Sequence, residues 1–148
     1  MPLIPDPNEH RWSVAEIDFD GTSLFVRINE SARSVVGHAD LGIKLGFAMP
    51  MHAAVGTDLP DPAENEALAE LEDKIIETVA NGAEGIHVLT LTNAAMKELV
   101  FYIKPGADIA AMHESLRGPD ISHDVQCQAV WDREWNTFLE FLPDQDGG

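Results

Sequence analysis

The sequence predicts an α+β fold, in which helices pack on an antiparallel sheet. Two observations carry that reading. The spacing of apolar residues switches repeatedly between period two and period 3.6 along the 148 residues, and Gly, Pro, Asn or Asp marks each switch. The segments also follow one another in an order that suits a single sheet.

Trp12 to Asp18 alternates, with Trp12, Val14 and Ile17 among polar residues, and Ser23 to Asn29 alternates through Leu24, Val26 and Ile28. Asp20-Gly21 lies between them, and both residues tolerate the positive φ of a two-residue hairpin turn. A third strand is predicted from Leu41 to Met51, where Gly42 and Gly46 point to bending or close backbone approach. Asp61-Pro62-Ala63-Glu64 then opens a helix with an acidic cap, Pro at the first position and Glu three residues on. Its apolar stripe runs through Leu68, Leu71, Ile75, Ile76 and Val79, and Asn81-Gly82 is expected to end it with a left-handed residue. Strands follow at 86–92 and 96–104, joined near Asn93-Ala94. Asp108 caps a shorter helix with Ile109, Met112 and Leu116 inward, stopped by Gly118-Pro119. Ser122 to Val130 reads as a strand. Asp132 caps a last helix with Trp135, Phe138, Leu139 and Leu142 on one seam, ended by Pro143.

From Leu41 the order is β-α-β-β-α-β plus a closing helix. That is the split βαβ series of a ferredoxin-like variant, with its two helices on one face of an antiparallel sheet and the N-terminal hairpin lengthening or flanking it. Residues 1–11 are expected to be a loose N-terminal arm, 12–143 a single α+β domain, and 144–148 a frayed tail.

Composition limits function. Twenty-six acids against nine bases give a net charge of −17. Such a field repels phosphate backbones and anionic membrane surfaces, so nucleic-acid and membrane partners are not expected, whereas a basic protein would be attracted. No apolar run approaches the roughly 20 residues of a membrane span, and the Pro-rich start lacks the pattern of a secretory signal. A cytoplasmic location is expected. The single cysteine, Cys127, leaves no internal disulfide and no multi-cysteine zinc site.

Several segments together resemble a known bacterial family. Ala67-Leu68-Ala69-Glu70-Leu71-Glu72-Asp73 resembles the helix motif of domain-of-unknown-function family 695. Thr90-Leu91-Thr92 with Glu98-Leu99-Val100-Phe101-Tyr102 resembles its central strands, and Asp132-Arg133-Glu134-Trp135 with Phe141-Leu142-Pro143 its C-terminal signature. Trp12 and the Asp20-Gly21 turn also fit, so the resemblance covers about residues 12–143. Asn93-Ala94-Ala95 stands where the family usually has a Gly turn, and Phe138 and Leu142 stand near where it often has Tyr. The resemblance implies no activity. The C-terminal helix is also similar to that of regulator of ribonuclease activity B, a small acidic protein that binds and restrains a large ribonuclease. That likeness implies a binding role.

Candidate chemistry is sparse. Asp18-Phe19-Asp20-Gly21-Thr22 is similar to the signature of haloacid-dehalogenase-type phosphatases. That motif should end a buried, wholly apolar parallel strand, whereas this strand alternates and carries Glu16, so a hairpin turn is expected. The six histidines have no helical His-x-x-x-His or zinc-knuckle spacing. His87 and His123 fall in predicted strands, and Met49-Pro50-Met51-His52 reads as a strand end with core Met rather than a copper site. Cys127 reads as a small core residue, and Gly147-Gly148 as a chain end rather than a carrier tail. No catalytic, cofactor-binding or metal residue is assigned.

The remaining feature is the first helix. Asp61, Glu64, Glu66, Glu70, Glu72, Asp73, Glu77 and Glu84 stand against one base, Lys74. Spacings of three and four put Glu66, Glu70, Asp73 and Glu77 on one outer stripe, the candidate surface for a basic protein partner. The expectation is a non-enzymatic binding or regulatory module; the alternative is a small hydrolase or metal-binding protein whose site the sequence does not locate.

Overall fold

The computed structural model describes residues 11–19, 21–50, 62–93, 96–118, 121 and 123–141. The tail 144–148, and all of the expected N-terminal arm but Arg11, lie outside them. Six strands form one antiparallel sheet: β1 (Trp12–Phe19), β2 (Thr22–Asn29), β3 (Ile43–Pro50), β4 (Gly85–Thr92), β5 (Met96–Ile103) and β6 (Gln126–Trp131). Their spatial order is β1-β2-β4-β5-β3-β6, and every neighbouring pair is antiparallel. The helices are α1 (Pro62–Gly82), α2 (Ile109–Ser115) and α3 (Asn136–Phe141), with a 3-10 helix at Glu30–Val35.

The hairpin forms as its alternation predicts. Phe19 pairs with Thr22, and Gly21 has φ +82°. Arg11 is tied to the 3-10 helix, because its carbonyl accepts from Glu30 N at 2.7 Å and its own N–H donates to Ser31 Oγ at 2.9 Å.

The edge strands β1 and β6 are largely exposed, whereas both faces of the central strands are buried. On one, α1 and α2 bring Leu68, Leu71, Ile75, Val79, Met112 and Leu116 against Leu45, Phe47, Leu99, Phe101 and Ile103. On the other, Ala32, Val35, Trp135 and Phe138 cover Val26, Ile28, Val88, Leu89, Val100 and Tyr102. α1 and α2 thus share a face, whereas the 3-10 helix and α3 take the opposite one. The sequence explains why: Leu99 to Ile103 is an unbroken buried apolar run, with Val100 and Tyr102 in one core and Leu99, Phe101 and Ile103 in the other, and apolar side chains on both faces require cover on both.

Four details depart from the sequence reading. Matching periods of helix and strands predict that the α1 stripe packs on Val88, Phe101 and Val125 together, but Val88 belongs to the opposite core. A β-bulge between His87 and Leu89 turns Val88 and Leu89 to the same side, shifting the alternation. The amide of Asn29, just past the β2–β4 ladder, donates to the His87 carbonyl at 2.9 Å.

α1 does not end on a left-handed residue, for Gly82 is helical. What Gly82 provides is room, since a Cβ there would lie 2.9 Å from Met112 Cγ and Sδ, where α2 crosses.

β6 starts at Gln126, not Ser122. Val125 carbonyl is taken by His113 Nε2 of α2 at 2.6 Å instead of by a strand, while Val125 itself still enters the α1–α2 core.

Trp135 precedes α3 and has φ +61°. That left-handed conformation costs a bulky residue about 1–2 kcal/mol. It aims the indole inward, flat on Tyr102 (centroids 4.1 Å, 8°), with Nε1 donating to Leu41 carbonyl at 2.8 Å. Phe138 is buried beside it, whereas Leu139 is 46% exposed, so the seam is narrower than predicted. Leu142 lies outside the described residues.

The stripe of α1 gives a direct test. Leu71 is 4% exposed within the core. Leu71→Ala should destabilise the protein by about 2–5 kcal/mol in chemical denaturation, the range of buried large-to-small changes.

Candidate functional site

α1 is amphipathic, with Leu68, Leu71, Ile75 and Val79 buried and Glu66, Glu70, Asp73 and Glu77 all exposed. The four acids lie on one stripe in solvent, as their spacing requires. Among the described residues none of the four has a hydrogen bond or ion pair to a base. Glu84, past the helix, is 3.5 Å from Lys104.

Glu72 behaves differently and was not singled out in the sequence. Its side chain turns into the fold, leaving the residue 7% exposed. One oxygen lies 2.9 Å from Lys97 Nζ. The other lies 3.6 Å from Arg27 Nη1 and accepts from Thr90 Oγ1 at 3.3 Å. The signal was present, because Glu72 follows Leu68 by four and precedes Ile75 and Ile76 by three and four, which places it within the apolar face. A charge there needs partners, and the sheet supplies them: Arg27 stands opposite Thr90 in register, and Lys97 opposite Thr92 two residues along.

Beside this carboxylate a groove of about 350 Å³ opens between α1 and the sheet, lined by Trp12, Arg27, Asp73, Ile76, His87 and Phe101 among others. The Arg27 guanidinium lies 4.9 Å from the Trp12 ring centroid. His87 stacks on Phe101 at 4.8 Å and meets Trp12 at 5.0 Å. His87 Nε2 is 3.0 Å from Leu89 carbonyl and from Thr90 Oγ1. A carbonyl only accepts, so Nε2 is assigned the proton. Asp73 belongs to both the outer acidic stripe and the wall of this groove.

The model of a family described as a family of unknown function, DUF695, matches residues 10–143. The chain belongs to this family. No curated protein and no solved structure matches it.

In this DUF695 chain the segment Asp132 to Trp135 closes the face opposite α1. Tyr102 hydroxyl donates to Asp132 Oδ2 at 2.7 Å, and Asp132 also accepts from Asn136 N at 2.9 Å and Thr137 N at 3.1 Å. Burial pushes the Asp132 carboxyl up. The bonds from Tyr102, Asn136 and Thr137, with the Lys44 charge, outweigh it and hold the group below the ordinary carboxylate range. Burial and the Asp132 carboxylate push the Tyr102 phenol well above its usual value, so it remains a donor.

Other motifs take structural places. Asp18 lies within the hairpin strand β1, paired with Ser23, and Asp20 lies outside the described residues, as do Met51, His52, Gly147 and Gly148. Cys127 is half-buried against the α1–α2 core, and burial raises its thiol. His123 is buried beyond α2, outside any strand. Among the described residues no three His, Cys, Asp or Glu side chains form a group that could hold a metal, and no helix is long and apolar enough to cross a membrane.

Two measurements probe these networks. Glu72→Ala leaves Lys97 without its carboxylate and should destabilise the fold by about 3–5 kcal/mol, while Glu72→Met with Lys97→Met should recover most of that loss in denaturant melts. Asp132→Asn should destabilise at pH 7. A depressed carboxyl contributes stability above its unfolded pKa, lost as pH falls through the folded one. The gap from the parent protein should therefore narrow in acid, below about pH 4.

Proposed function

We propose that the protein is a non-enzymatic binding module that engages a basic protein through the outer face of α1, at Glu66, Glu70, Asp73 and Glu77. The carrying observation is the contrast within one helix. Glu72 faces the sheet and is matched by Lys97 and Arg27, whereas the four outer acids are exposed and unmatched among the described residues. Folding does not require them. Acids beyond the first turn repel one another and gain nothing from the helix dipole. Their field favours encounter with a basic surface and disfavours phosphate backbones.

The likeness of the C-terminal segment to regulator of ribonuclease activity B supports the same class of role, by analogy alone. The strand order β6-β3-β5-β4, with α1 and α2 on one face, supports reading that part of the sheet as ferredoxin-like, extended by the β1–β2 hairpin. We place the activity in the cytoplasm, consistent with an acidic chain that carries one half-buried cysteine.

Charge reversal tests the reading. Changing Glu66, Glu70, Asp73 and Glu77 together to Lys should leave the thermal midpoint near its original value. Proteins retained by the parent chain at low salt should associate with the variant at least tenfold more slowly and with a flatter salt dependence. Equal rates and equal salt slopes would reduce the acidic face to a solvated surface.

A further inference from the structure

On the sheet face opposite α1, a cavity of about 190 Å³ opens at the end of α3. Leu24 of β2, Leu91 of β4, Met96 of β5 and Phe141 of α3 make it largely apolar, and Ser23, Asn93 and Glu98 are its polar residues. Glu98 is the anomaly. It is half-buried, yet among the described residues it makes no hydrogen bond or ion pair. The charge it feels is that of Lys44, which sits opposite Tyr102, four positions further along the β3–β5 ladder, and whose ammonium donates to Thr137 Oγ1 at 2.9 Å. Four strand residues span about 13 Å of backbone, and the two side chains form no ion pair, so Lys44 attracts the carboxylate without contacting it.

Gly46 shows that the carboxylate's position is accommodated. A Cβ there would lie 2.9 Å from Glu98 Oε2, so the side chain that β3 lacks is the space Glu98 occupies. Glycine within a strand weakens it, and here the missing side chain leaves room for an acid that makes no ion pair among the described residues. A half-buried acid without a partner lowers stability, and burial pushes the Glu98 carboxyl up despite Lys44. Apolar walls around one convergent charge are the usual make-up of a small-molecule pocket.

We propose that this cavity binds a small organic ammonium ion, with Glu98 as counter-ion and Leu24, Leu91, Met96 and Phe141 enclosing a ring-sized apolar group. The size fits, since a cavity of about 150 Å³ accommodates benzene. The sign fits as well. A carboxylate in a chain of net charge −17 rejects anions, and a neutral ligand of the same shape leaves Glu98 uncompensated. This site lies across the sheet from the acidic stripe of α1, so the two stand or fall separately.

The test is titration of the full chain with benzylammonium, benzyl alcohol and phenylacetate at pH 7, by calorimetry and by two-dimensional NMR. Benzylammonium should bind at least tenfold more tightly than either analogue. Its shifts should map to Leu24, Leu91, Met96 and Phe141. Glu98→Gln should lose that preference while keeping a thermal midpoint at pH 7 no lower than the parent's. Equal binding of the alcohol, tighter binding of phenylacetate, absence of binding at millimolar concentration, or shifts confined to α1 would each overturn the proposal. The comparison of the three ligands on the parent protein decides even if the variant folds poorly.

Discussion

Burial of β4 and β5 on both faces is the constraint from which the rest of the architecture follows. A sheet whose central strands are apolar on one side only can leave the other in water. Here Val88, Leu89, Val100 and Tyr102 point one way and Leu99, Phe101 and Ile103 the other, so two separate covers are needed. α1 and α2 make the first. The second comes from shorter pieces, the 3-10 helix and α3, and it depends on one aromatic clasp. Trp135 lies flat on Tyr102, held by Leu41 carbonyl, while Asp132 takes the phenol and the first free N–H groups of α3. The strained backbone at Trp135 is offset by the burial and bonding it makes possible.

Charge is distributed with similar asymmetry. The chain has few bases, and two of them, Arg27 and Lys97, converge on Glu72, where α1 meets the sheet. Glu72 and Lys97 are largely buried and Arg27 lies at the surface beside them, and the outer acids of α1 have no base partner among the described residues. The outer face of α1 is one place where the excess negative charge gathers on a single stripe. The bland outcome of such a charge is solubility, and the proposed binding role rests on the stripe that α1 presents.

The two candidate sites occupy different layers. The acid stripe and the aromatic groove at Trp12, His87 and Phe101 lie on the α1 side, and the Glu98 cavity lies on the α3 side. Between them stand paired strands whose bonding leaves little freedom. A macromolecule on one side and a small cation on the other would therefore meet surfaces with opposite demands, a broad field in the first case and an open apolar pocket with one charge in the second.

The sequence by itself determined the local elements and their sides: the hairpin at Asp20-Gly21, the inward stripe of α1, the Asp108 and Asp132 caps, and the solvent stripe from Glu66 to Glu77. These follow from period and capping chemistry, which act over a few residues. Glu72 was legible in principle, as a charge on an apolar face, but its partners are 25 and 45 positions away and meet it only through strand pairing. The side taken by Val88 depended on a bulge, the late start of β6 on a histidine from α2, and the need for a residue without a side chain at Gly82 on Met112 packing over it. In the sequence Glu98 stands with Lys97 as a polar pair ahead of the apolar run Leu99 to Ile103. Only the pairing of β5 with β3 set its carboxylate over Gly46 and beside Leu24, Leu91 and Phe141, because long-range register, not local pattern, decides which distant side chains share a space.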